Sequence, residues 1–99
     1  MTVYVIAQLK FTDAERYRKY QARFFDVFKE SGGRLLAADE KPVVLDGDWE
    51  RDKIVVMSFA DEARARGFLD SPGYREISKD RIAGADTLGL LVHGLPSPA

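Results

Sequence analysis

The sequence has no cysteine and only one histidine and one tryptophan among its 99 residues. Without cysteine there is no disulfide framework and no thiolate nucleophile, and one histidine cannot complete the usual zinc ligand sets. No segment approaches the roughly 18 apolar residues that would span a membrane. The opening Met1-Thr2-Val3-Tyr4-Val5-Ile6 lacks the basic region and long apolar run of a secretory leader, so a cytoplasmic location without membrane contact is the default expectation. An excess of one charge is also missing. The 15 basic and 16 acidic residues give a net charge of -1 and are interspersed along the chain, which argues against nucleic acid as a partner because phosphate binding needs a clustered basic footprint. No Gly-rich phosphate loop, nucleotide fingerprint or metal-binding cluster is present, so neither a cofactor nor a metal is expected.

What remains is an ordinary globular composition, 45% apolar and 31% charged, which must fold by apolar burial alone. At this length a second core would leave each half too small to stand unaided. Residues 1–95 are therefore expected to form one domain, with Pro96-Ser97-Pro98-Ala99 as a flexible tail.

The run from Val3 to Phe11 is rich in β-branched and aromatic residues and predicts a strand covered on both faces. Thr12-Asp13-Ala14-Glu15 has the form of a capping box, with Thr12 as the cap of a first helix. Along that helix Tyr17, Tyr20, Phe24, Val27 and Phe28 recur at spacings of three and four and predict one core-facing stripe, which Gly32-Gly33 should end. Phe25 lies off the stripe and is expected to cover a second surface.

Arg34 to Ala38 and Pro42 to Leu45 predict a second strand in two pieces, an edge strand bent at Pro42, which cannot donate to a ladder. Asp46-Gly47-Asp48 is a turn signal, and Lys53 to Phe59 is a third, nearly continuous apolar strand that should close a hairpin with the second. Asp61 can cap a second helix, Ser71-Pro72 restarts it, and Thr87 to Gly94 predicts a fourth strand.

The order strand, helix, strand, strand, helix, strand is the βαββαβ arrangement of ferredoxin-like α+β domains, a four-stranded antiparallel sheet with two helices on one face. In the first strand Val3, Val5, Ala7 and Leu9 alternate with Tyr4 and Ile6, and in the third Ile54 and Val56 oppose Val55, Met57 and Phe59. Both faces are thus apolar, while helices cover only one. Burying one such side chain is worth roughly 1.5–3 kcal/mol, so leaving half a dozen in water would forgo a sum comparable to a domain's whole stability. The open face is expected to meet that of a second copy in a twofold homodimer.

Tyr17 with Tyr20, Gly32-Gly33-Arg34, Leu45-Asp46-Gly47 with Trp49, and Phe68-Leu69-Asp70-Ser71-Pro72-Gly73-Tyr74 together resemble the small bacterial domains catalogued as domain of unknown function 1330, within the dimeric α/β-barrel superfamily. The resemblance spans Tyr4 to Gly94. It implies a ferredoxin-like protomer, a dimer that closes a barrel, and a pocket between sheet and helices. It leaves the reaction open, since the wider superfamily includes cofactor-independent monooxygenases, isomerases, heme-degrading enzymes and ligand-sensing domains.

Four residues are candidates for catalysis. Tyr17 and Tyr20 can pack inward with their hydroxyls in a polar cavity, or simply fill the core. Arg34 can bind a carboxylate bidentately or cover the end of the first helix, and His93 is a titratable side chain near the end of the last strand. Phe24, Trp49, Tyr74 and Arg81 are candidate ligand contacts. Tyr74 and Arg81, seven apart, share a helix face, and Trp49 suits a barrel mouth or a dimer seam. Gln8, Ser58 and His93 would form a polar patch if they shared a face. Two functions remain open: a cofactor-independent enzyme acting on a small apolar or aromatic metabolite, and a non-catalytic module that binds one.

Overall fold

The elements of the computed structural model, which describes residues 1–96, run β1 (Val3–Phe11), α1 (Ala14–Phe28), β2 (Arg34–Asp39), β3 (Lys53–Phe59), α2 (Glu62–Leu69), α3 (Pro72–Gly84) and β4 (Ala85–His93). The two strands richest in apolar residues, β1 and β3, take the centre of an antiparallel sheet ordered β2-β3-β1-β4. This is the ferredoxin-like α+β arrangement, with its second helix broken at Asp70-Ser71 into α2 and α3. The Ser71 hydroxyl accepts from the Tyr74 amide at 3.3 Å and Pro72 opens α3, where a missing N–H costs nothing.

Strand parity sorts the core. Val3, Val5, Leu9, Met57 and Phe59 point toward the helices and pack with Tyr17, Tyr20, Phe28, Ala65, Phe68, Tyr74 and Ile77. The opposite face carries Tyr4, Ile6, Ile54, Val56, Leu88, Leu90 and Val92, and the last three stay well exposed. The molecule is a slab of 45 × 38 × 16 Å, two layers thick. Among the described residues no helix is long and apolar enough to cross a membrane.

Two close approaches set the position of the helices over the sheet. The Thr12 and Asp13 amides both donate to the Gly84 carbonyl, at 3.0 and 3.1 Å, tying the start of α1 to the end of α3. A Cβ at Gly84 would lie 2.4 Å from the Tyr17 nitrogen, so only glycine permits this contact. Gly33 is also confined, though by side chains rather than backbone, since a Cβ there would lie 2.6 Å from the Phe59 ring. The Arg16 guanidinium, 2.8 Å from Asp80, joins the same two helices.

Four local expectations shift. The cap of α1 is Asp13, whose carboxylate accepts from the Arg16 amide, because the Thr12 backbone is drawn to Gly84. Helix α1 ends at Phe28 with Lys29 as its cap, and Gly32, at φ 79, serves the turn that follows. Only the first piece of the expected second strand pairs. After Asp39 the Lys41 amide turns back to the Asp39 carboxylate at 2.8 Å, Pro42 has no N–H to offer, and Val43 and Leu45 stand 82% and 93% exposed. The fourth strand begins two residues early, at Ala85. A register shift between Leu35 and Ala37 bends β2 at the sheet edge. Beyond Pro96, the tail expected at 96–99 lies outside the described residues.

Candidate functional site

Between the helix-side face of the sheet and the pair α1 and α3 lies a cavity of about 500 Å³. Val5, Ala7 and Leu9 from β1 and Val55 and Met57 from β3 make its floor. Tyr17 and Tyr20 from α1 and Tyr74, Ser78 and Arg81 from α3 make the roof, with Thr87 and Leu91 of β4 along one side. The α3 residues recur at spacings of four and three, which places them on one helix face. Exposed Arg75, Ile82 and Leu90 also border the cavity and mark its rim.

The roof is internally braced. The Tyr20 and Tyr74 hydroxyls lie 2.9 Å apart, and the ring of Tyr20 meets that of Tyr74 edge-on. Burial pushes the Tyr17 hydroxyl up to about 12 and raises Tyr20 further. Both phenols are therefore neutral across the physiological range and act as hydrogen-bond donors or acceptors rather than as bases.

Among the described residues three buried side-chain polar atoms have no hydrogen-bond partner, Ser78 Oγ, Arg81 Nε and Thr87 Oγ1, and their three residues all line this cavity. Ser78 is only 6% exposed. A buried donor or acceptor left unsatisfied costs about 1–3 kcal/mol, so three at one apolar cavity are a built preference for something polar to enter. The lining contains no carboxylate, imidazole or amine. It offers the part-buried Arg81 guanidinium, a second guanidinium at the rim from exposed Arg75, and several hydroxyls, the equipment for holding an oxyanion, and no group able to take a proton at neutral pH.

A smaller cavity of about 210 Å³ lies across Tyr17, Tyr20 and Val55, between α1 and β2, and is lined by Gln21, Phe24, Phe25, Leu35, Ala38 and Lys53 as well. Lys53 is 5% exposed, and its ammonium sits 5.0 Å above the Tyr17 ring. The Arg18 guanidinium binds the Glu40 carboxylate in fork geometry at 2.6 and 2.7 Å, which holds that carboxyl below its ordinary range.

The family model described as Domain of unknown function (DUF1330) matches residues 2–95. The chain belongs to that family. No curated protein matches it. Among solved structures, a protein of unknown function from Rhodopseudomonas palustris is 20% identical with a TM-score of 0.79, covering 97% of this chain and 84% of that one. SnoaB, a cofactor-independent oxygenase from Streptomyces nogalater, is 13% identical with a TM-score of 0.69, covering 97% and 95%. A dimeric ferredoxin-like protein of unknown function from Thermobifida fusca is 15% identical with a TM-score of 0.66, covering 92% and 89%. At such identities the likeness establishes the fold.

Within this DUF1330 domain the expected site residues divide. Tyr17, Tyr20, Tyr74 and Arg81 meet at the larger cavity, and Phe24 lines the smaller one. Arg34 does not join them: it pairs in register with Ser58, on the face away from the helices. His93 opposes Val3 at the far end of β4, well exposed, with Nε2 2.9 Å from a Glu62 carboxylate oxygen. Trp49 lies against the open face, donating from Nε1 to the Gln8 side-chain oxygen at 3.0 Å. Gln8 and Ser58 share that face while His93 has the opposite parity, so the three form no common patch. Ser78, Thr87 and Lys53 were not among the expected site residues, the last two being read only as strand starts. Ser78 follows Tyr74 by four and so shares its helix face, a signal that was available.

Proposed function

We propose that this protein is a homodimer whose protomers each bind a small, mostly apolar molecule carrying one ionisable oxygen, a carboxylate, phenolate or enolate. The observation that carries this reading is the convergence of unpartnered Ser78 Oγ, Arg81 Nε and Thr87 Oγ1 on an otherwise apolar cavity. Arg81 would take the oxyanion, Ser78 and Thr87 would complete its hydrogen bonds, and the body of the ligand would lie along Val5, Ala7, Leu9 and Met57. The homodimer rests on the apolar open face and on the dimeric description of the Thermobifida fusca neighbour.

Catalysis is the second reading, favoured by the likeness to the cofactor-independent oxygenase. Donors that stabilise an enolate or phenolate lower the acidity barrier of a bound substrate, and Tyr17, Tyr20 and Arg81 surround the place where that charge would form. The absence of a proton acceptor from the lining favours binding over turnover.

The test begins with native mass spectrometry of the purified protein, followed by titration with 1-naphthol and 2-naphthoate. Saturable binding of either probe that Arg81→Met weakens about tenfold or more supports the site. Binding unaffected by Arg81→Met removes it. Oxygen uptake with 1-naphthol, dependent on the protein, would move the reading from binding to catalysis.

A further inference from the structure

Lysine 53 opens β3, a place where a lysine ordinarily reaches into solvent, yet here it is buried beneath α1. Its nearest acceptors are long: Gln21 Oε1 at 3.5 Å and Glu40 Oε2 at 3.8 Å, where a charge-assisted bond would be about 2.8 Å. Both acceptors are already engaged by Arg18, which bonds Gln21 at 2.5 Å and takes both oxygens of Glu40. The lysine nitrogen thus faces the Tyr17 ring and a cavity walled by Phe24, Phe25, Leu35 and Val55, with a competing cation beyond Glu40. No carboxylate of its own secures it.

We infer that Lys53 is a nucleophilic amine that condenses with a small apolar aldehyde or ketone in the α1–β2 cavity. Two arrangements activate a lysine for such chemistry, desolvation in an apolar pocket and proximity to another cation, and Lys53 has both. Burial lowers its affinity for the proton below the ordinary lysine range, Arg18 acts in the same direction, and Glu40 opposes them only in part. The free amine adds to the carbonyl carbon and a proton passes from nitrogen to the former carbonyl oxygen. Loss of that oxygen as water then leaves a C=N bond to Lys53. No oxidant or metal is needed. At about 210 Å³ the cavity is smaller than drug-sized pockets of roughly 300–1,000 Å³ and suits a carbonyl compound no larger than one ring. Exposed Phe25 and Leu35 border it, giving a small molecule an entry between α1 and β2. This site lies across the tyrosine pair from the Arg81 cavity and does not depend on it.

The experiment is reductive trapping of the full chain with benzaldehyde and sodium cyanoborohydride, mapped by peptide mass spectrometry over a pH series. Benzylation at Lys53 several times faster than at Lys10, Lys19, Lys29, Lys41 or Lys79, with half-maximal rate at lower pH than theirs, is the expected result. Modification of those lysines while Lys53 stays unmodified, or a Lys53 rate that follows their pH dependence, overturns the proposal. Mapping the unsubstituted chain makes the result independent of whether a variant folds. Lys53→Met should lose only the Lys53 adduct while 2-naphthoate binding at Arg81 is unchanged, which separates failure of this inference from failure of the Arg81 reading. Persistence of the same single adduct in Lys53→Met also counts against it.

Discussion

The Tyr20 and Tyr74 hydroxyls, 2.9 Å apart, join α1 to α3 over the larger cavity, and each is the other's hydrogen-bonding partner. Replacing one by phenylalanine strands the second hydroxyl, at a cost of about 1–2 kcal/mol, whereas replacing both removes donor and acceptor together. Urea unfolding of Tyr20→Phe, Tyr74→Phe and the double variant should therefore show a double-mutant cost clearly smaller than the sum of the singles. Additive costs would mean that the bond contributes nothing.

The anion site makes a sharper demand on function than on stability. Removing Arg81 takes away charge-assisted bonds worth roughly 1.5–3 kcal/mol, so Arg81→Met should weaken 2-naphthoate binding by roughly 10- to 100-fold. Because Arg81 Nε has no partner in the free protein, the same substitution should leave the unfolding midpoint unchanged or slightly raised. Calorimetric titration and thermal melting of one preparation test both halves. His93→Gln, altering a residue outside the cavity, should leave binding as it was.

Much of the fold was legible because the chain repeats its own signals. The nearly unbroken apolar run of β3, the three-and-four spacing of Tyr17, Tyr20 and Phe28, and the Ser71-Pro72 start of α3 each have one cheap conformation. Residues 42–45 misled because Val43, Val44 and Leu45 look like a strand, but Pro42 and the turn at Lys41 carry the chain away from β3. Site residues on helices were legible, Ser78 of α3 excepted, and those on strands were not. Helical spacing brings Tyr74 and Arg81 together by itself, whereas strand parity leaves open which face the helices will cover. That choice put Arg34 on the open side, along with Gln8, which holds the loop residue Trp49 there. Lys53 was hidden for the opposite reason, since a lysine at a strand start is normally solvated, and only the roof formed by α1 buries it.

Alkaline pH should unfold this protein early. A tyrosine whose folded-state value is raised to about 12, as burial raises Tyr17, holds its proton in the native state after the unfolded chain has released it near pH 10. The native state then binds more protons than the unfolded state, so stability is fully present below about pH 10 and falls as pH rises toward 12. Tyr20 is shifted the same way. Guanidinium unfolding at a series of pH values should show this decline, and Tyr17→Phe should make it shallower. An unchanged slope would mean that Tyr17 ionises as freely in the native state as in the unfolded chain.

Lys53 has the opposite sign. Its proton affinity is lowered in the folded state, so between that lowered value and the ordinary lysine range near 10.4 the unfolded chain binds the extra proton and stability rises with pH. Lys53→Met keeps the volume and removes the buried charge, and it should be neutral or stabilising at pH 7 while abolishing that rise. A large loss of stability in Lys53→Met would show instead that the contacts to Glu40 and Gln21 hold the domain together.

The open face of the sheet makes the last prediction. Leu88, Leu90 and Val92 from β4 stand 44%, 47% and 41% exposed beside Ile6 and Tyr4, and Trp49 is drawn onto the same face by Gln8. An apolar strip of this kind on a slab only two layers thick is an interface when a second copy meets it, and a liability when none does. Light scattering of the full chain at micromolar concentration should give twice the protomer mass. Leu90→Asp sets one unpaired carboxylate in the middle of that strip, and it should shift the mass to the monomer while leaving the far-ultraviolet circular dichroism intact. If the unsubstituted chain is already a monomer, the apolar face needs some other cover. If Leu90→Asp stays dimeric, the two copies meet elsewhere than on this face.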